Sequence, residues 1–263
     1  MKKRIMALAL CLTMVMSLAA CGNSAKKAQG DLDTIKNKGT LVVGITDFEP
    51  MDYKDANGNW IGFDADLATE FAKSLGVEVS FVEIDWDNKI MELNGGTVDC
   101  IWNGMTLTDE VKSAMDCSNA YCNNAQVVIV KNDVAANYQS TDSLSELNFA
   151  VETGSAGAEQ AEEYGLNYTE VSNQANALME AEAGTCDAAI IDSLMAAAMV
   201  GEGTSYADLT YTVGLNSEEY GVGFRKGSDL VAKLNEFFAA KYADGTIEKI
   251  ATEYGVQAAI IEQ

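Results

Sequence analysis

The residues of this chain that can do chemistry are acids, aromatics and cysteines, and none is a histidine. Asp47, Phe48 and Glu49 follow a short apolar run, Trp86 adjoins Asp87, and Asp192 closes the run Ala188 to Ile191. Aromatic faces such as Phe48 and Trp86 can hold an aliphatic chain, a ring or a cation. Carboxylates beside them suit a positive charge. Together with Trp102 these residues have the chemistry of an acidic and aromatic pocket. Glu49 or Asp192 has the chemistry of a general acid or base. Without histidine, however, the usual base and the commonest metal ligand are missing. No serine stands in a nucleophile elbow and the cysteines form no Cys-x-x-Cys pair, so neither an enzyme nor a metal or other cofactor is expected.

Past residue 21 the cysteines are Cys100, Cys117, Cys122 and Cys186. A disulfide in an exported chain and buried free thiols both fit this number, and the apolar runs around Cys100 and Cys186 favour free thiols there.

The amino terminus sets the compartment. Lys2, Lys3 and Arg4 precede an apolar run from Ile5 to Met16, too short for a permanent bilayer span, and Leu18-Ala19-Ala20-Cys21 follows. This order resembles the bacterial lipobox, which implies cleavage before Cys21 and a diacylglycerol on its thiol. Residues 1–21 then form a lipoprotein signal and 22–33 a polar tether. No later stretch holds about 18 apolar residues in a row. The body is expected at the outer face of the cytoplasmic membrane, anchored by its lipid.

Composition narrows the class further. The roughly 230 residues after the tether suffice for one large domain or two lobes, and 48% hydrophobic content argues for a folded globule. The chain carries a formal net charge of −23. Its first 21 residues hold only basic charges, so the rest is more acidic still. That charge disfavours nucleic acid and extended contact with anionic lipid. It suits solubility and a mild preference for cationic ligands.

Hydrophobic periodicity alternates strand and helix. Strands are expected at 41–45, 77–82, 98–102, 126–131, 149–152, 188–191 and 220–225. Helices are expected at 64–75, ended by Gly76, and at 88–93, 157–164, 174–183, 192–200, 228–244 and 246–253, with a helical turn at 144–147. The pattern predicts an α/β protein whose mainly parallel sheets are flanked by helices, with ligands beyond the carboxyl ends of the strands.

The order of motifs resembles one family. Gly44 to Tyr53, Asp55-Ala56-Asn57-Gly58 and Gly62-Phe63-Asp64-Ala65-Asp66-Leu67-Ala68 come first. Trp86-Asp87, Gly104-Met105-Thr106-Leu107-Thr108, Ser118-Asn119-Ala120-Tyr121, Ala189-Ile190-Ile191-Asp192 and Asp244-Gly245-Thr246 follow in register. Over roughly residues 40–255 the chain resembles the polar amino-acid type of extracellular solute-binding protein, the receptor subunit of an ABC importer. The resemblance implies two α/β lobes joined by two crossing hinge strands and closing on a small ligand. Lobe 1 would be 34–130 plus 222–263 and lobe 2 131–221, with hinges near Val130-Lys131 and Tyr220-Gly221. It also implies a monomer that meets an ABC permease. The chain lacks the phosphate-binding loop of an ATPase.

Carried over residue by residue, the resemblance makes Phe48 and Trp86 the aromatic walls, with Glu49 beside them. Asn103, Gly104 and Thr106 become the ligand-contacting loop, and Asp192 accepts an α-ammonium. Asp192 also suits a plain helix cap. Two departures stand out. Relatives usually carry an arginine, gripping the ligand's carboxylate, where this chain has Val111. They often follow Gly-Ser with threonine, where Gly154-Ser155 is followed by Ala156. The backbone at Ser155, Ala156 and Gly157 remains suited to an anion at a helix start. The expected ligand is an amino acid or amino-acid derivative. The alternatives are an amine or a carboxylate-modified ligand, or a sensory binding lipoprotein with the same pocket.

Overall fold

Apolar runs of five or six residues form the longer central strands, and three of the helices over them stop at a left-handed glycine. The computed structural model describes residues 30–263. The expected signal segment, Cys21 and the tether up to residue 29 lie outside the described residues. Helix α1 (Asp31–Lys38) occupies the end of the expected tether, because Ile35 is fully buried and anchors it. Strand β1 (Thr40–Ile45), the hairpin β2 (Tyr53–Lys54) and β3 (Trp60–Ile61), helix α2 (Phe63–Leu75) and β4 (Glu78–Glu83) follow. Next come α3 (Lys89–Gly95), β5 (Cys100–Ile101), α4 (Asp109–Ala114), β6 (Asp116–Cys117), β7 (Cys122–Asn124) and β8 (Gln126–Lys131). The middle of the chain forms β9 (Asn148–Glu152), α5 (Ala156–Glu163), β10 (Asn167–Val171), α6 (Gln174–Ala183), β11 (Ala188–Asp192), α7 (Ser193–Met199) and β12 (Leu209–Gly214). Strands β13 (Glu218–Tyr220) and β14 (Gly223–Phe224) and helices α8 (Leu230–Ala243) and α9 (Thr246–Glu253) close it.

Two five-stranded sheets result, with orders β4-β1-β5-β14-β6 and β10-β9-β11-β8-β12. In each, one strand opposes the other four: β14 in the first and β8 in the second. The sheets are thus mainly parallel, and each belongs to one lobe. The chain crosses between lobes twice, and the crossings pair antiparallel as β7 and β13.

This pairing corrects the expected boundary near Val130-Lys131. Strand β8 is hydrogen-bonded to β11 and β12 along its length, so the first crossing ends before Gln126. The expected strand 220–225 is broken into β13 and β14, because the chain leaves the crossing at Gly221 and enters the first sheet. A Cβ on Gly221 would lie 2.6 Å from Leu107 Cδ2. The helical turn expected at 144–147 is a non-helical turn in which Leu144 and Leu147 are buried anchors.

Phe63, Leu67 and Phe71 of α2 pack on Leu41, Val43 and Ile45 of β1 in the first lobe. The helix stops at Gly76, in the left-handed region at φ 77°, whose N–H returns to the carbonyls of Ala72 and Lys73. Trp102 belongs to this core, 5.6 Å from Phe238 and 6.2 Å from Phe71 between ring centroids. It is fully buried and does not line the cleft, which removes it from the expected pocket. Val128, Val130, Phe149, Val151 and Ile190 fill one face of the second sheet. Cys100, Cys117, Cys122 and Cys186 are all free thiols.

Candidate functional site

The carboxyl ends of the parallel strands from both lobes converge on one cleft. Thr46 follows β1, Asn103 follows β5, Glu152 ends β9 and Asp192 ends β11. The first lobe adds Phe48, Trp86, Lys89, Gly104, Thr106 and Val111 to the lining, and the second adds Gln126, Ser155, Ala156, Glu159 and Gln174.

Asp192 is the centre of the polar network. It is 3% exposed and sits at the cap position of α7, yet its side chain makes no capping hydrogen bond. Asn124 Nδ2 and Gln126 Nε2 (2.5 Å) donate to its Oδ1, while Gln174 Nε2 donates to Oδ2. Its own N–H donates to Gln174 Oε1 at 2.8 Å. Burial and then the Glu218 carboxylate push its pKa up to about 8, against the pull of the three amides. Glu218 Oε1 accepts from Asn124 (2.7 Å), Gln126 (2.8 Å) and Thr106 (2.9 Å), tying the network to the first lobe.

The floor of the first lobe is equally fixed. Asn103 Oδ1 accepts from the N–H and hydroxyl of Thr46 at 2.9 and 2.7 Å, and its Nδ2 donates to Asp52 Oδ2 at 2.7 Å. Gly104 N–H and Tyr121 OH both donate to Asp64 Oδ2 at 2.7 Å. Burial raises the Asp64 pKa to about 7. Gly104 stands at φ 52°, and a Cβ there would come 2.5 Å from Phe48 Cε1, so glycine lets the Phe48 ring reach the cleft. Ser155 caps α5 by accepting from Ala158 N–H at 3.1 Å. The first N–H groups of that helix are left without intrahelical acceptors.

Of the sequence-predicted site residues, Phe48, Trp86, Asn103, Gly104, Thr106, Ser155, Ala156 and Asp192 line one cleft. Glu49 does not. It sits outside the lining in the turn closed by the Phe48–Asp52 bridge, where burial and then Asp47 raise its pKa. Lys89, Gln126, Glu152 and Gln174 were not foreseen. For Gln126 and Glu152 a signal existed, since Gln126 is a polar residue opening an apolar strand and Glu152 one ending it.

Lys89 has no such signal. It is 7% exposed, and its ammonium donates to the Gly154 carbonyl across the cleft at 2.8 Å and to the Trp86 carbonyl at 3.3 Å. It also stands 5.0 Å from the Trp86 ring centroid, and burial lowers its pKa. Val111 is 4% exposed in a cluster with Trp86 and Met105, with no polar group to give the cleft.

Residues 41–257 match the model of the bacterial extracellular solute-binding proteins, family 3. The chain belongs to this family. The arginine-binding extracellular protein ArtP of Bacillus subtilis (strain 168) is 31% identical over 264 residues, covering 97% of this chain and 98% of its own. The structure of an ABC uptake transporter substrate binding protein from Streptococcus pneumoniae with bound histidine superposes with a TM-score of 0.78 at 29% identity, over 89% of this chain and 99% of that one. The ancestral amino acid-binding protein AncCDT-1, a precursor of cyclohexadienyl dehydratase, gives a TM-score of 0.78 at 34% identity, over 85% of this chain and 98% of its own. As a family member the chain is an extracellular solute-binding protein, and among the described residues no helix is long and apolar enough to cross a membrane.

Proposed function

We propose that this chain is the lipid-anchored receptor of an ABC importer, capturing an amino acid or amino-acid derivative between its two lobes. The observation that carries this reading is Asp192. A buried carboxylate at a strand end, held by three amides and not used as a helix cap, is built to receive a ligand ammonium. Phe48 and Trp86 flank the same cleft and supply faces for the rest of the molecule. The crossing pair of β7 and β13 would be the hinge, and a ligand touching both lobes would favour the closed state. Anchoring through Cys21 keeps the receptor near its permease at high local concentration.

A second reading is favoured by Val111 and Lys89. With an apolar residue at the first position and the lysine bonded to backbone carbonyls, no free guanidinium grips a ligand carboxylate. The ligand would then be an amine or a carboxylate-blocked derivative. A thermal-shift panel of free amino acids, their amides and esters, and simple amines separates the two. Stabilisation by a free amino acid that its ester fails to give supports the first reading, and stabilisation by amines alone supports the second. A chain that no member of the panel stabilises, and that no membrane permease retains, would contradict the receptor reading.

A further inference from the structure

Glu152 ends β9 just as Asp192 ends β11, and the two strands lie side by side and parallel. Its side chain is buried at 3% exposure and lines the cleft, but its Oε1 has no hydrogen-bond partner. The contrast with Asp192, whose carboxylate collects three amide donors, is plain. The nearby Lys89 ammonium does not fill the gap, since it donates to the Gly154 and Trp86 carbonyls. Glu110 and Glu159 line the same cleft and add negative charge. A buried carboxylate oxygen without a donor is a costly state that a native site resolves with a partner.

Building on the receptor reading, we propose that Glu152 is a specificity-determining residue that binds a second cationic nitrogen of the ligand. The ligand then carries two cationic groups, with an ammonium held at Asp192 and an ammonium or guanidinium held at Glu152. Burial and the neighbouring Asp192 push the Glu152 pKa up to about 8, against the pull of the Lys89 charge and the Gln174 amide, and a bound cation would lower it further. A ligand with a neutral group at that end would leave Oε1 unpaired, and sites built around a polar partner reject analogues that lack it.

The test titrates the full chain with arginine, with agmatine (arginine without its carboxylate) and with citrulline, the uncharged ureido isostere of arginine. The better of arginine and agmatine should bind at least about 30-fold more tightly than citrulline, the scale of losing one partner of a buried charge pair. The variant Glu152→Gln should reduce that preference to within about 3-fold, as the charge term is removed. Its ligand-free melting temperature at pH 9, where Glu152 of the parent is ionised, should equal or exceed the parent's, because a buried unpaired charge has gone. Citrulline binding as tightly as arginine, or a Glu152→Gln variant that keeps the full preference, overturns the inference. So does silence of both arginine and agmatine at about 10 mM, where even a complex with a dissociation constant of about 1 mM would fill. Binding of a neutral amino acid such as glutamine in place of arginine and agmatine leaves the receptor reading standing and removes only this one.

Discussion

Gly154 is the position where one added methyl group distinguishes closure from folding. It lies in the left-handed region at φ 68°, between β9 and α5, and faces Asp87 of the other lobe. A Cβ there would fall 2.8 Å from Asp87 Oδ1 and 2.9 Å from Asp87 Cα. The second contact is with backbone, so no rotamer change relieves it and the lobes must move apart. Gly154→Ala therefore carries two separable costs. The left-handed conformation disfavours alanine by about 1–2 kcal/mol whether the cleft is open or shut. The overlap adds about 1–3 kcal/mol only when the lobes meet. The second cost falls on the ligand-bound state and should weaken binding about 5- to 150-fold. Gly58→Ala is the control, since Gly58 has φ 84° and nothing within 4 Å of its Cβ position. It should lower the melting temperature comparably and leave affinity unchanged. Calorimetric titration with the strongest stabiliser from the thermal-shift panel, alongside melting of the free proteins, reads both effects. If Gly154→Ala binds as tightly as the parent, the Asp87–Gly154 approach is no part of the bound state and the reasoning fails.

Three further outcomes are expected. Asp192 and Glu152 both have folded pKa values raised to about 8, chiefly by burial. These values exceed the ordinary carboxylate value of about 4, so the stability linked to them is complete below that pH and is lost as pH climbs through 8. Urea midpoints from pH 5 to 9 should therefore fall more steeply in the parent than in Glu152→Gln, and equal slopes would contradict the assignment. Tyr121→Phe removes the hydroxyl that donates to buried Asp64, and should cost about 1.5–3 kcal/mol in chemical denaturation at pH 8; an unchanged midpoint would show that water or Gly104 suffices. Val111→Arg places a planar fork at the cleft wall and should shift the arginine-to-agmatine affinity ratio toward arginine by about tenfold or more. A ratio that does not move would mean this wall never faces a ligand carboxylate.

The sequence exposes those parts of the fold that rest on local periodicity. Helices at 174–183 and 246–253 and the strand at 126–131 have their expected limits, because apolar spacing and flanking glycine or asparagine mark them. Strand β10 was missed because Asn167 to Glu170 are exposed at a sheet edge and carry no apolar alternation. The two-residue strands β2 and β3 are too short for any period. The break at Gly221 depends on where the chain crosses between lobes, which is a tertiary fact. At the cleft, the strand-end acid Asp192 was legible, as were the aromatics Phe48 and Trp86. Lys89 was not, because a lysine opening a short helix reads as solvated surface unless the opposite lobe that buries it is known.

The reversed strand in each sheet bears on how the chain folds as it is made. All five strands of the second sheet lie between residues 126 and 214, so that lobe can pair fully from one continuous stretch. The first sheet cannot. Its β14 lies between β5 and β6, and β6 has no other neighbour in the sheet. Until residues 223–224 emerge, β5 keeps an open edge and β6 has nothing to pair with. Helices α8 and α9, which cover the same core, come later still. The amino-terminal half of the protein must therefore wait, with apolar surface exposed, for the carboxyl-terminal segment to arrive. Such delayed long-range pairing is slow and prone to aggregation. This topology favours assembly from the middle of the chain outward, with the inserted lobe structured before the lobe that brackets it.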